Sequence, residues 1–246
     1  MFTRQLPEYF IDIICELVYN LWMTNLAPIR ISEAHQGGYL RAAFVDCQGI
    51  EYYEDIHHNF TQAQKLAIAL RTESIPLSHF IYRQNSEVDL TPFLYQDRNI
   101  NRIPSLDIDF KIVIPDPNEI VLPKTTYNGF TSPHSRTVVG NTKRNIPKDQ
   151  KSALICAGFT ARCCLMETAI GSFKKAANPE HHRVIIALDA TNIHPNYYEG
   201  YAIDFLAKAD EDIRDKISFA TTEQIIAATQ SKTTPSQSSP ARPCMV

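Results

Sequence analysis

Two adjacent cysteines, Cys163 and Cys164, lie within the stretch Ala153–Ala169, which reads ALICAGFTARCCLMETA. The pattern predicts a short buried strand, a tight turn after Gly158 and a helix that begins close to the two thiols. A thiol at the start of a helix lies near the positive end of the helix dipole, where the thiolate is favoured and the pKa falls. Such a thiol could act as a nucleophile. Alternatively, both cysteines are small apolar side chains that fill the beginning of a buried helix.

A thiol nucleophile needs a group that takes its proton and donors that stabilise the oxyanion it creates. Asp46, at the end of the predicted strand Tyr39–Val45, could accept the proton, and Lys124 could stabilise the thiolate. Backbone N–H groups of the turn Phe159–Cys164 could hold the oxyanion. Each part also has an ordinary interpretation: Asp46 could end a turn, Lys124 could be a solvated surface charge, and Cys164 could fill the core.

Six predicted strands must position these residues. They are continuous apolar runs that alternate with helices, which is typical of a parallel sheet covered on both faces. We therefore predict an α/β fold of three layers with a six-stranded parallel sheet in the order 3-2-1-4-5-6. In this order strand 1 lies beside strand 4 at the switch point where ligands bind, so Asp46 and the cysteine turn share one crevice, with Lys124 arriving from the loop after strand 3. The predicted strands are Tyr39–Val45, Ile75–Tyr82, Phe110–Ile114, Ala153–Ala157, Arg183–Asp189 and Ile217–Ala220.

Helices are predicted between and after these strands, and the chain divides into three parts. Residues 1–38 form an N-terminal extension with an amphipathic helix at Pro7–Met23 and a loop, residues 39–229 form the main domain, and residues 230–246 form a disordered tail rich in Ser, Thr and Pro. The polar stretch Arg83–Asp109 is predicted as a loop. The other predicted helices are Ile56–Thr72, Ser132–Asn145, the cysteine helix up to Ala177, Tyr197–Asp212 and Thr222–Thr229.

Composition limits the partners and the compartment. The chain has 246 residues and a formal net charge of −3, so no basic field suggests nucleic acid. Six cysteines without regular spacing indicate free thiols in a reducing compartment, which predicts a cytoplasmic protein. Asp12 and Glu16 interrupt the apolar run Phe10–Met23, so we expect neither a signal peptide nor a membrane span. The apolar stripe of the first helix favours a homo-oligomer.

Several segments resemble the isochorismatase-like cysteine hydrolases, a family that includes nicotinamidases, N-carbamoylsarcosine amidohydrolases and isochorismatases. The resemblance extends from about Leu40 to Thr229 and implies the same three-layer fold. It rests on AAFVDCQ at Ala42–Gln48, PKTTYNGF at Pro123–Phe130, GFTARCCLMETA at Gly158–Ala169, the strand that ends in Asp189-Ala190, and FATTEQI at Phe219–Ile225.

The resemblance implies a role for each site residue. The family pattern has a Gly, then the nucleophilic Cys six positions later, then Thr-Ala four positions after that, which selects Cys164 rather than Cys163. By the same resemblance Asp46 is the base and Lys124 the cation that stabilises thiolate and carboxylate.

The resemblance also implies features of the turn before Cys164. The family commonly has a non-proline cis peptide, here between Phe159 and Thr160, and these two residues with Cys163 would form the oxyanion turn. The family usually has Thr three residues after the Gly, whereas this chain has Thr160 and Ala161 in the swapped order. Arg162 could line the pocket, as could Tyr127 and Phe130 from the PKTTYNGF segment, although each is equally suited to packing or to the surface.

No metal or other cofactor is predicted. Nicotinamidases of this family bind a divalent metal through an Asp-x-His pair and a further His, and this chain lacks that arrangement. Adjacent His57 and His58 on a helix point about 100° apart, so they cannot easily share one metal. His79, inside a predicted strand, is interpreted as a satisfied core residue.

The predicted function is the hydrolysis of a small amide or carbamoyl C–N bond through a thioester on Cys164. Two alternatives remain open. One is a non-catalytic module of the same fold that binds another protein. The other is a vinyl-ether hydrolase in which Asp46 acts as the acid, as in isochorismatases.

Overall fold

A computed structural model describes residues 27–47, 57–82, 93–94, 102–103, 108–109, 112–131, 133–139 and 149–231. Six strands of these segments form a parallel sheet in the order 3-2-1-4-5-6, which confirms the predicted architecture. In chain order they are β1 (Leu40–Val45), β2 (Leu77–Tyr82), β3 (Ile120–Lys124), β4 (Ser152–Gly158), β5 (His182–Thr191) and β6 (Ile217–Ala220).

The third strand lies later in the chain than predicted. The apolar run Phe110–Ile114 is not a strand where the structure describes it: Ile112 and Val113 are buried in a bend. Prolines at 115 and 117 prevent regular pairing there. Lys124 is therefore the last residue of β3, paired with Tyr82 of β2, and not part of a loop.

The predicted loop Arg83–Asp109 contains short strands. Phe93–Leu94 pairs antiparallel with β3 and adds a seventh strand at the edge of the sheet. Arg102–Ile103 pairs with Ile108–Asp109 in a separate small sheet.

Helices occupy most of the predicted positions, with different limits. Residues 27–36 form a helix, α1, that was not predicted, and the predicted helix Ser132–Asn145 is replaced in its described part by a 3₁₀ helix at Pro133–Thr137. The helix predicted over Tyr197–Asp212 divides at Ala209. The remaining helices are α2 (His57–Thr72), α3 (Met166–Phe173), α4 (Tyr198–Lys208), α5 (Glu211–Arg214) and α6 (Thr222–Gln230), with 3₁₀ helices at Gly129–Thr131, Pro179–His181 and Pro195–Tyr197.

The core lies on both faces of the sheet. Along β4, Leu154 and Cys156 pack with α3, α4 and α5, whereas Ala153, Ile155 and Ala157 pack with α1, α2 and α6. This alternation follows from the two-residue period of a strand and produces three layers. No helix in the described ranges is long and apolar enough to cross a membrane.

Two predicted segments cannot be compared with the structure. The N-terminal helix Pro7–Met23 and the tail from residue 232 lie outside the described residues. Gln230, which was assigned to the tail, is instead the last residue of α6.

Candidate active site

A buried ion pair joins the ends of β1 and β3. The ammonium Nζ of Lys124 lies 3.1 Å from Oδ2 of Asp46, and both residues are almost completely buried, with 2% and 1% of their surface exposed. The same Nζ lies 3.4 Å from the carbonyl oxygen of Thr126 and 4.9 Å from the ring centre of Tyr82. Burying two charges carries a large desolvation cost, so the pair is an expensive feature of the core.

The two carboxylate oxygens of Asp46 have different surroundings. Oδ2 is held by Lys124, and the hydroxyl of Thr160 lies 3.2 Å from it. Oδ1 is also buried, and within the described part of the chain it has no hydrogen-bond partner. The backbone of Asp46 is left-handed, with φ of 55°, and its N–H donates to the carbonyl of Phe80 at 2.8 Å. Asp46 is thus held at the end of β1, with one carboxylate oxygen that neither Lys124 nor Thr160 binds.

Cys164 reaches this carboxylate through an unusual turn. β4 ends at Gly158, with φ of 136°, where a Cβ atom would lie only 2.0 Å from the carbonyl oxygen of Val45. Thr160 then adopts a left-handed backbone with φ of 56°, and Ala161–Leu165 forms a π-helical turn that continues into α3. Backbone strain and π turns are both enriched at functional sites. The turn buries Cys164, which is 4% exposed, and leaves Cys163 on the surface.

The pKa of the Cys164 thiol is raised above its ordinary value, first by burial, then by the negative charge of Asp46 and then by a hydrogen bond between the thiol and that carboxylate. A hydrogen bond from Thr160 and the charge of Lys124 oppose this effect without cancelling it. The prediction of a lowered pKa is therefore wrong, because burial beside a carboxylate outweighs the helix dipole. The resting thiol keeps its proton and needs a base before it can attack.

Backbone N–H groups of the turn are largely committed. Phe159 donates to Val45 at 2.9 Å, Ala161 donates to Oδ1 of Asn192 at 2.7 Å, and Cys163 donates to the carbonyl of Thr160 at 2.9 Å. The N–H of Cys163 is therefore occupied within the turn. The peptide bond between Phe159 and Thr160 is not cis, since the described residues contain no cis peptide, and that prediction is wrong. The left-handed backbone of Thr160 reverses the chain instead.

A surface pocket of about 470 Å³ is lined by residues next to the ion pair and the thiol. It meets them at Thr160, whose hydroxyl contacts Asp46, and at Cys163, the neighbour of Cys164. Asp46, Lys124 and Cys164 themselves do not line it. Its lining combines three predicted residues with four that sequence reasoning missed: Thr160, Arg162, Cys163, Asn192, Ile193, His194 and Tyr197.

The four missed residues follow β5, the neighbour of β4 in the sheet. A usable signal was the predicted strand order, because the loop after β5 must leave the same edge of the sheet as the cysteine turn. Asn192 matters most, since its side chain anchors the first N–H of the π turn.

Comparisons with known proteins identify the fold. No family model and no curated protein matches the sequence. The structure is similar to an isochorismatase-family protein from Desulfovibrio vulgaris, with a TM-score of 0.53 and 15% identity over 75% of this chain and 95% of that chain. It is also similar to a cysteine hydrolase from Pseudomonas syringae, with a TM-score of 0.51 and 16% identity over 79% and 94% of the two chains. A third similar structure is an isochorismatase-family protein from Burkholderia thailandensis, with a TM-score of 0.51 and 14% identity over 84% of this chain and 98% of that chain.

The chain has the isochorismatase-like fold. The resemblance seen in short sequence segments therefore extends to the whole sheet. In this fold the first and fourth strands of the chain are neighbours, which explains why Asp46 and Cys164 lie close together although 118 positions separate them in the sequence.

Within the isochorismatase-like fold, the PKTTYNGF segment fastens the loop after β3 to α3. The N–H of Gly129 donates to the hydroxyl of Thr168 at 3.0 Å, and that hydroxyl lies 3.2 Å from the carbonyl of Tyr127. Phe130 is buried against Phe80, with ring centres 5.2 Å apart, and Tyr127 is 58% exposed. Neither aromatic residue lines the pocket, so the segment positions Lys124 relative to Cys164.

His79 belongs to a buried polar network away from the thiol. Its Nε2 lies 2.7 Å from Oε2 of Glu119, which also accepts hydrogen bonds from Arg71. The interpretation of His79 as a satisfied core residue agrees with this contact. Among the described residues, no group of three or more His, Cys, Asp or Glu side chains could hold a metal ion, and the side chains of His57 and His58 lie outside the described set.

Proposed function

We propose that the protein is a cysteine-dependent hydrolase of small amide or carbamoyl C–N bonds, with Cys164 as nucleophile. The observation that supports it best is the asymmetry of the Asp46 carboxylate. One oxygen is held by Lys124 and Thr160, while the other is buried, is bound by neither of them, and belongs to a carboxylate that interacts with a thiol that is protonated at rest. The Asp46 carboxylate can therefore accept the proton that the Cys164 thiol must lose before its sulfur attacks.

The first half of the proposed reaction forms a thioester. As the sulfur of Cys164 attacks the substrate carbonyl carbon, its proton moves to Oδ1 of Asp46. Collapse of the tetrahedral intermediate breaks the C–N bond, and the same proton passes from Asp46 to the departing nitrogen, which leaves as ammonia or an amine. Lys124 and Thr160 keep Oδ2 in place, so the carboxylate stays turned towards the sulfur.

The second half releases the acid. Water attacks the thioester carbonyl and gives a proton to Asp46, and collapse of this intermediate breaks the C–S bond. The proton returns to the sulfur of Cys164, which restores the resting state. Asp46 thus acts in turn as base, acid, base and acid, and Lys124 balances its negative charge whenever it is deprotonated.

A purely structural role explains the ion pair poorly. Replacing a buried ion pair with apolar residues of similar volume is often neutral or stabilises a protein by about 1–4 kcal/mol. Because buried ion pairs are often not needed for stability, the position of this pair beside a buried thiol is better explained by chemistry.

The test measures ammonia release from a panel of primary amides and N-carbamoyl compounds. Cys164→Ala should lower turnover by more than about a thousandfold, since it removes the attacking atom. The matched control is Cys163→Ala at the adjacent exposed thiol, which should retain turnover within about tenfold, because that side chain only contributes to the pocket wall.

Each other outcome contradicts the proposal. Equal losses in both variants would show that Cys164 has no special role. Full activity of Cys164→Ala towards a vinyl ether would favour Asp46 as an acid without a nucleophile. A stable complex with another protein, retained by Cys164→Ala without turnover of any amide, would favour an interaction module.

A further inference from the structure

We propose that Arg162 selects substrates that carry a carboxylate group, and that Asp204 holds the Arg162 side chain when no substrate is bound. This inference rests on the proposed function, because it specifies the class of amide that the pocket admits. It follows from the charge of the pocket, the bonding of the guanidinium and the rigidity of the turn that carries it.

The described lining of the pocket includes one cationic side chain. Arg162 is the one permanently charged side chain among the described lining residues, and no carboxylate of the described chain lines the pocket. Nδ1 of His194 accepts a hydrogen bond from the N–H of Asn196 at 3.3 Å, so a neutral ring carries its proton on Nε2 and offers a donor. A cation and neutral donors without a lining acid favour an anionic ligand.

Asp204 holds Arg162 through an exposed and weak contact. Nη1 of Arg162 lies 2.9 Å from Oδ2 of Asp204, and the two side chains are 57% and 54% exposed. Ion pairs this exposed contribute little, because solvent screens them. A guanidinium has five N–H donors in a planar fork, so a substrate carboxylate can be bound at two of them. A substrate carboxylate can therefore replace Asp204 as the partner of Arg162 at a small cost in free energy.

The turn that carries Arg162 is firmly held. The N–H of Ala161 is bound by Asn192, and its carbonyl accepts a hydrogen bond at 3.0 Å from the hydroxyl of the fully buried Tyr201. Arg162 lies two residues before Cys164 in the same π turn. The backbone that carries the Arg162 side chain is thus fixed relative to Cys164, so the reach of that side chain limits where a bound carboxylate can lie and the number of atoms between carboxylate and amide should matter.

The first experiment compares half-amides of malonic, succinic and glutaric acids with their methyl esters, measuring kcat/KM for ammonia release. The unmodified protein should prefer one half-amide over its ester. Arg162→Gln should lower kcat/KM for that half-amide by about tenfold or more and change the ester by less than about twofold, because only the charged hydrogen bonds are lost. Asp204→Asn should raise kcat/KM for the half-amide. Lys174→Gln, at the far end of α3, is the matched loss of one surface cation and should preserve the preference.

The second experiment needs no turnover. In a Cys163→Ser background, Cys164 is alkylated with anionic iodoacetate or neutral iodoacetamide, and the ratio of the two rates is measured by peptide mass spectrometry. Arg162→Gln should lower the ratio of iodoacetate to iodoacetamide several-fold, whereas Lys174→Gln should not.

The two experiments separate the two proposals. Equal values of kcat/KM for ammonia release from the half-amides and from their methyl esters would overturn the role of Arg162. An alkylation ratio that Arg162→Gln leaves unchanged would also overturn it. Failure to hydrolyse any amide would count against the proposed function, and the alkylation ratio would still decide whether Arg162 attracts anions to Cys164.

Discussion

Removing the cation of the buried pair should destabilise the protein strongly. Lys124→Met keeps most of the length and apolar volume of the side chain and removes the charge that lies 3.1 Å from Asp46. Asp46 is 1% exposed, so its carboxylate would then be left inside the protein without a counter-charge. Breaking a buried pair in this way costs about 3–5 kcal/mol. This loss is a large part of the total free energy of unfolding of a typical globular protein, which is about 5–15 kcal/mol.

A second substitution should reverse most of the loss. In Asp46→Asn/Lys124→Met neither charge remains, so no unpaired charge is buried, and the double variant should be more stable than Lys124→Met alone. The free energy of unfolding is measured by urea titration followed by far-UV circular dichroism, with the four proteins of the cycle compared at one pH. Both Lys124→Met and the double variant should fail to hydrolyse amides.

Two results would refute this reasoning. Exposed ion pairs contribute less than about 1 kcal/mol to stability. If Lys124→Met lowers the free energy of unfolding by no more than that, solvent reaches Asp46. Additive losses in the double variant, within about 0.5 kcal/mol, would show that the two charges do not interact.

Two further predictions concern the elements around the site. Burial lowers the pKa of His182 from its ordinary 6.5 to about 3, so an unfolded chain binds a proton below pH 6.5 that the folded chain does not, and stability should fall as pH decreases from 6.5 towards 3. His182→Gln should reduce this slope by about 1.4 kcal/mol per pH unit, measured by urea titrations at pH 6 and below, and an unchanged slope would contradict the assignment. Asn192→Ala should lower kcat and cost about 1–3 kcal/mol of stability by leaving the Ala161 N–H unsatisfied. Asn192→Asp keeps the acceptor oxygen and should restore part of both, whereas equal effects of Ala and Asp would argue against the anchor.

The sheet was predictable because its strands are continuous apolar runs separated by helices. Burial on both faces requires such runs, and the usual strand order then brings the ends of β1 and β4 together. The third strand was misplaced for a physical reason. Phe110–Ile114 is more apolar than Ile120–Lys124, but it is followed by prolines, whereas the actual strand contains Pro123 and ends in a charged residue that is buried by its ion pair.

The details of the site depend on contacts that no local pattern encodes. The sequence places Cys164 near the start of a helix, which favours a lowered pKa, but it does not show that the helix begins with a π turn that buries the thiol beside Asp46. Asn192 and His194 lie in an irregular segment, and only the tertiary structure brings them to the pocket. The local sequence also does not show that the segment from Tyr127 to Phe130 is bound to α3. The N–H of Gly129 in this segment donates to Thr168, which lies 39 positions later in the chain, so a role in lining the pocket is equally compatible with the sequence.

The most direct test of the account is to detect the thioester. The Cys163→Ser chain is mixed with an amide that it hydrolyses, quenched in acid within one turnover and examined by peptide mass spectrometry. If Cys164 is the nucleophile, its peptide gains the mass of the acyl group, and Cys164→Ala shows no such gain and releases no ammonia. Ammonia release by Cys164→Ala at the rate of the unmodified protein, with no acyl adduct on either protein, would contradict this role of Cys164.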